Sequence, residues 1–331
     1  MSIQYRKKEE IFTFLTQQGE EISRKTEIRF DPITNETSRI IFNPGYTPES
    51  QDFSELANET SGKNCPFCEK NILQMTPVFP GKINETGRFI KGESTLFPNL
   101  FPYSKHNGVA VMTKEHYIKL HEFTQEILFN AFTNAYDYIQ KVALHDEQIN
   151  FASINWNYLP QSGGSILHPH LHIIMTEYPT NAQTLEVNKS TSNPSIYHQL
   201  YLSEKEQNER YIGEVGNVAW LSAFAPKSHH DYLGLFHQGK PITKPTENDW
   251  RDFTFGLQGI FKNLVDNGFT SFNFSLQIPL KQEQPMIARL IPRVTMGKLA
   301  TSDINFFQMM HNEPLSYFSP ESVAEKAKAQ F

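Results

Sequence analysis

Cysteine is nearly absent: Cys65 and Cys68 are the only two in 331 residues. No disulfide framework holds the fold, and a hydrophobic core must do so. No apolar run approaches the roughly 18 residues of a membrane-spanning helix. The start, Met1-Ser2-Ile3-Gln4-Tyr5-Arg6-Lys7-Lys8, lacks the apolar segment of a secretory signal. No membrane association and a cytoplasmic location are therefore expected. Positive charge is not in surplus either. The formal net charge is −6, and general nucleic-acid binders carry a basic surface, so no nucleic-acid partner is expected. An anionic small molecule stays compatible if local donors hold it.

Histidine, by contrast, is concentrated. The stretch Ser165-Ile166-Leu167-His168-Pro169-His170-Leu171-His172-Ile173-Ile174-Met175 reads as a strand with an imidazole at every second position. Side chains alternate along a strand, so His168, His170 and His172 share one face while Leu171 and Ile173 pack behind. The turn-forming Gln161-Ser162-Gly163-Gly164 precedes them. Three imidazoles on one face with an apolar reverse describe a site rather than a polar sheet surface.

Cys65-Pro66-Phe67-Cys68 offers two thiolates from one tight turn, which suits two corners of a zinc tetrahedron. A redox pair would open a helix directly after a strand, whereas this one follows a polar loop. The remaining ligands would be imidazoles, with His106, His116 and His168 as candidates.

Along the chain, residues 1–25 suggest a peripheral helix and Glu27–Phe42 a hairpin. Residues 43–63 read as a loop. Residues 88–90 and 94–102 read as short strand and loop, and strands are expected at 108–112 and 149–157. The spacing of Leu128, Ala131, Phe132, Ala135, Ile139 and Val142 predicts a helix opened by Thr124. Residues 181–215 read as a polar connection. The pattern then recurs. Val218–His229 echoes the stretch ending at His116, and a helix carries Trp250, Phe253, Leu257, Ile260, Phe261 and Leu264. The strands at 271–276 and 286–293 follow, the second standing where the first half has its histidines. This is the mark of an internal duplication, with a charged helix at 320–331.

Several motifs coincide in order and spacing: Arg29-Phe30-Asp31-Pro32-Ile33-Thr34, Cys65/Cys68, Phe97-Pro98-Asn99-Leu100-Phe101, Glu115-His116, and Asn157 followed by Gly163-Gly164-Ser165-Ile166-Leu167-His168-Pro169-His170. In these the sequence resembles the galactose-1-phosphate uridylyltransferase branch of the histidine-triad superfamily. The resemblance implies an α+β, HIT-like fold of two tandem halves, each an antiparallel sheet with a long helix. The expected division is a catalytic half with its zinc knuckle over 1–180 and a degenerate half over 181–331. It also implies zinc on Cys65, Cys68, His116 and His168, with His170 as the nucleophile and Ser165 assisting. Arg29, Asn99, Asn157, Gly163 and Gly164 would bind substrate, a nucleotide or nucleotide sugar. The activity implied is nucleotidyl transfer through a nucleotidyl-histidine, and relatives of this branch often form homodimers. Departures are informative. His172 stands where the transferases have Gln, which keeps phosphorylase or hydrolase chemistry open. Leu100 replaces an expected acidic residue, and Ile287-Ala288-Arg289-Leu290 lacks the histidines of a second metal site.

Overall fold

The repeat seen in the sequence closes into one continuous sheet. The computed structural model describes residues 3–42, 46–237, 244–282 and 284–331. An N-terminal hairpin of β1 (Arg6–Leu15) and β2 (Glu21–Phe30) pairs with β3 (Thr37–Ile41), and α1 (Ser54–Thr60) and α2 (Glu69–Met75) follow. The first copy is β4 (Phe89–Lys91), β5 (Ser94–Pro98), β6 (His106–Val111), α3 (Gln125–His145), β7 (Phe151–Tyr158) and β8 (His170–Thr176). After α4 (Asn181–Ser192) and α5 (Ile196–Gln207) comes the second copy. It consists of β9 (Tyr211–Val215), β10 (Val218–Ser222), β11 (Tyr232–Phe236), α6 (Glu247–Asp266), β12 (Ser271–Pro279) and β13 (Ile287–Arg293). The ten strands run β4-β5-β6-β8-β7-β12-β13-β11-β10-β9. Each copy therefore has the same internal order, and the two meet where β7 pairs with β12.

Register at that join decides which residues share a face. Asn155 lies opposite Ser275, His172 opposite Asn155 and Arg289 opposite Ser275. Opposed residues in an antiparallel pair project to the same side, so one row crosses the sheet as Val109, His172, Asn155, Ser275, Arg289 and Leu233. Aligning copy on copy through Asn155 and Ser275 sets His172 against Arg289 and His170 against Ile287.

The other face is the core. Thr124 caps α3 through Ile127 N–H at 3.2 Å, and Thr246 with Asp249 forms a capping box on α6; such caps contribute about 1 kcal/mol each. The apolar positions of both helices lie against Leu171, Ile173, Trp156 and Phe272, all buried. Phe132 and Phe253 meet edge to face at 5.2 Å. Complete burial of such a side chain contributes roughly 1.5–3 kcal/mol, so this layer holds the histidine strand rigidly from behind.

Four local expectations are corrected. Within 1–25, expected as a helix, residues 1–2 lie outside the described residues and the rest forms the hairpin of Arg6–Leu15 with the strand that starts at Glu21. Ile11-Phe12-Thr13-Phe14 is β-branched and aromatic, and Gly19, at φ +81°, supplies the turn. In the 43–63 loop, residues 43–45 lie outside the described residues, while Ser54–Thr60 is helical. The 181–215 connection contains two helices. Thr180 and Gln183 box the first, and the second buries Ile196, Tyr197, Leu200 and Tyr201 at helical spacing. Lastly, the histidine strand begins at His170, because Pro169 has no N–H for the ladder. His168 thus precedes the strand.

The stretch from Arg29 to Ser38 packs on the second half, through Ile33 against Ala219 and Leu221 and through Ser38 Oγ, which donates to the Pro226 carbonyl at 2.6 Å. Arg29, only 3% exposed, bonds Glu27 at 2.6 Å, Glu321 at 2.8 and 2.9 Å, and the Phe224 carbonyl at 3.3 Å. Burial raises the Glu321 carboxyl, but the Arg29 and Arg210 guanidinia more than reverse this and hold it at about 2. A carboxyl lowered in the folded state stabilises above its unfolded pKa, near 4.3, and that contribution is lost as pH falls toward 2. Glu321→Gln is expected to cost on the order of 2 kcal/mol at pH 7, after allowing for its partial exposure. It should also flatten the acid limb of thermal stability between pH 5 and 2, as read by calorimetry. An unchanged acid limb would refute this anchoring.

Candidate active site and metal centre

Two cysteine sulfurs and two imidazoles converge where the knuckle folds onto the sheet. The ligand atoms of Cys65, Cys68, His116 and His168 all lie within 4.8 Å of one another. Cys65 Sγ is 3.7 Å from His168 Nδ1, and Cys68 Sγ is 3.5 Å from His116 Nδ1 and 3.9 Å from His168 Nδ1. Zinc bonds of about 2.3 Å to sulfur and 2.0–2.1 Å to nitrogen give tetrahedral S–N edges near 3.6 Å. The set therefore fits zinc in donor chemistry and spacing.

The surrounding groups prepare each ligand. His168 Nε2–H donates to the Thr113 carbonyl at 2.8 Å, leaving Nδ1 for a metal. His116 Nε2 meets Thr60 Oγ1 at 3.0 Å, and that hydroxyl donates to Leu56 O; it therefore accepts from the imidazole, which again frees Nδ1. The Gly62 N–H donates to Cys68 Sγ at 3.3 Å. Burial lowers the pKa of both histidines, His168 to about 4, which keeps them neutral as ligands must be. Burial also pushes the Cys65 thiol up to about 11, so its thiolate needs a cation beside it. His106 is not part of the cluster; its Nε2 bonds Asp146 at 2.9 Å.

His170 follows by two residues. Its Nδ1–H donates to the His168 carbonyl at 2.7 Å, so Nε2 carries the free lone pair. The ring is 7% exposed and is flanked edge-on by Phe67 and His172, each at 5.0 Å. Burial and the neighbouring His172 lower its pKa to about 3, so the imidazole is neutral. His172 is half-buried, and its Nδ1 has no partner among the described residues. Tyr103 lies 6.2 Å from it.

Around this pair the expected substrate residues divide. Asn157 is exposed, and its Oδ1 accepts from Asn273 at 2.7 Å, which leaves Nδ2 as a donor. Ser165 is exposed in the bend leading to His168. The Gly163 and Gly164 N–H groups, expected as phosphate donors, instead bond the Pro160 and Leu159 carbonyls at 2.9 and 3.2 Å. Gly164 is needed for space: a Cβ there would come within 3.0 Å of the Leu159 carbonyl oxygen. Asn99 bonds Asn107 through Nδ2 at 3.0 Å and accepts from Phe101 N–H at 3.1 Å, so it shapes the loop that displays Leu100 and Phe101. Arg29 is consumed in its buried ion pairs and is corrected from a substrate contact to an anchor. Two contributors escaped sequence reasoning: Phe67 and Thr60. Only Phe67, inside the Cys-x-x-Cys, carried a local signal.

No family model matches the chain. An uncharacterised protein of Archaeoglobus fulgidus is 30% identical over 334 residues, covering 98% of both chains. Among solved structures, an Arabidopsis thaliana ADP-glucose phosphorylase with bound ADP-glucose is similar with a TM-score of 0.71 at 15% identity, covering 92% of this chain and 98% of that one. A galactose-1-phosphate uridylyltransferase-like protein of the same plant gives 0.69 at 15% identity, with 91% and 98% covered. A uridylyltransferase mutant gives 0.65 at 16% identity, with 92% and 97% covered. The chain thus belongs to one family with the Archaeoglobus fulgidus protein, and its fold is that of the galactose-1-phosphate uridylyltransferase branch of the histidine-triad superfamily.

Proposed function

We propose that the protein is a nucleotidyltransferase that moves a nucleoside monophosphate from a nucleotide sugar to a phosphate-bearing acceptor by way of His170. The observation that carries this reading is the His170 Nδ1–H bond to the His168 carbonyl, which leaves a neutral Nε2 lone pair on a strand held from behind by the core. In the first step Nε2 attacks the α-phosphorus. The bond from that phosphorus to the bridging oxygen breaks, and the sugar phosphate departs with the electron pair. In the second step an acceptor phosphate oxygen displaces His170 and restores the neutral ring. Splitting the displacement in two is the benefit of a covalent intermediate. Asn157 Nδ2 and Ser165 Oγ are the donors for the phosphoryl oxygens.

Zinc on Cys65, Cys68, His116 and His168 would be structural. Four protein ligands leave no open position, and the metal would fix the bend that presents His170. The catalytic half over 1–180 supplies the nucleophile. The half over 181–331 has Ile287 and Arg289 at the equivalent positions and would act as scaffold. A homodimer is part of the same reading.

A phosphorylase reading is favoured by His172, whose Nδ1, without a partner among the described residues, stands beside the nucleophile. It is also favoured by the likeness in fold to the ADP-glucose phosphorylase. Supplying water, inorganic phosphate and hexose 1-phosphate together, with product analysis by chromatography, separates the two. If His172 assists small acceptors, His172→Gln should retain the first step and shift product toward the sugar-phosphate acceptor about tenfold. An unchanged product ratio would remove His172 from acceptor selection. Failure of any nucleotide sugar to react would defeat the transferase reading itself.

A further inference from the structure

The sheet face that carries His172 continues into the second copy, where it encloses a cavity of about 330 Å³. Its floor extends the same row: Asn155, then Ser275, then Arg289. Its roof is built from α4 and α5, the helices of the connecting segment, and from the turn that holds Asp31 and Ile33.

Polar groups in this cavity lack partners. Glu186 of α4 is 9% exposed, and neither its Oε2 nor the Oε1 of Gln277 has a hydrogen bond among the described residues. Arg289 Nε faces Asp231 Oδ1 at 3.2 Å as an ion pair, yet neither atom makes a hydrogen bond among the described residues. Each such group, dry and unpaired, costs as much as a lost hydrogen bond. Glu204 Oε2 is likewise without a hydrogen bond among the described residues, and three such acceptors, on Glu186, Gln277 and Glu204, around one space imply that something polar fills it.

The charges select the class of ligand. Arg289 and Lys227 are the cations, and Asp31, Glu186, Glu204 and the adjacent Asp231 are the acids. An anion such as phosphate would meet the carboxylates, and a metal ion would meet the guanidinium. A hydroxyl group suits both sides, because it donates to Glu186 or Gln277 while accepting from Arg289. The apolar part of the wall, with Tyr197, Leu233 and Ile287, can cover the C–H face of a ring. The volume lies at the small end of the roughly 300–1,000 Å³ typical of ligand pockets, which suits one ring rather than a nucleotide.

We propose that this cavity is a second ligand site, beside the His170 centre, taking a neutral, hydroxyl-rich molecule of monosaccharide size bonded by Glu186, Gln277 and Arg289. It does not depend on the reaction assigned to His170. Isothermal titration and saturation-transfer NMR on the full zinc-loaded chain test it, with glucose, galactose and myo-inositol as probes and inorganic phosphate as competitor. At least one of the three should bind saturably. Glu186→Leu, which removes an acceptor, and Ser275→Phe, which fills the floor, should each weaken it at least tenfold. His170→Gly should leave it unchanged, and phosphate should not displace it. Three results would each overturn the proposal: no saturable binding of any of these polyols, binding undiminished in both cavity variants, or displacement by phosphate.

Discussion

His170→Gly is expected to lower turnover by on the order of 10⁴-fold, in the range seen when a covalent nucleophile is removed. Zinc content and fold should be unchanged. His172 does not substitute. In the antiparallel ladder it lies opposite Val109, two residues further along the strand than His170 opposite Val111, and its Nδ1 has no partner among the described residues. The fold survives because the cluster of Cys65, Cys68, His116 and His168 does not include His170. The vacated space lies against Phe67, so free imidazole should enter it and restore part of the first step, with the nucleotidyl group now leaving on the added imidazole. Turnover kinetics with and without imidazole read this. Full activity of His170→Gly without imidazole would contradict it.

The second large effect falls on stability. A structural zinc site contributes on the order of 10 kcal/mol of folding free energy, and Cys65→Ser removes one of the four proposed ligands, a side chain that is 2% exposed. The variant should lose most of its zinc, and its unfolding temperature should fall by more than about 10 °C, since each kcal/mol shifts a chain of this size by a few degrees. His170 would lose its support only indirectly, through the Cys65 contact to His168. Metal analysis with calorimetry measures both quantities. Zinc-free wild-type protein with an unshifted transition would refute the structural role.

What the sequence allowed to be read followed the locality of the chemistry. Two cysteines three apart must share a turn, so that half of the cluster was legible locally, whereas the choice of His116 over His106 rested on the resemblance and His168 stands before the strand rather than on it. Helices α3 and α6 were legible because their apolar stripes repeat at helical spacing. Arg29 was misread because its partner Glu321 lies 292 positions away, and nothing near Arg29 announces it. The glycine N–H groups were assigned to phosphate, but the turn itself consumes them. Helices α4 and α5 hide behind polar composition: α4 buries Gln183, Glu186 and Ser190, and α5 buries Ile196, Tyr197, Leu200 and Tyr201. The row from His172 to Arg289 depends on the register of β7 against β12, which no short stretch of sequence encodes.

The central claim, a covalent nucleotide on His170, is tested most directly by acid-free quenching of the zinc-loaded protein with a panel of nucleotide sugars and no acceptor, followed by tandem mass spectrometry. The account predicts a nucleoside monophosphate mass on the peptide spanning 165–176, localised to His170 through a phosphoramidate bond that is stable in base and lost in acid. A nucleotide on any other residue, or turnover with no adduct at any quench time, would contradict it.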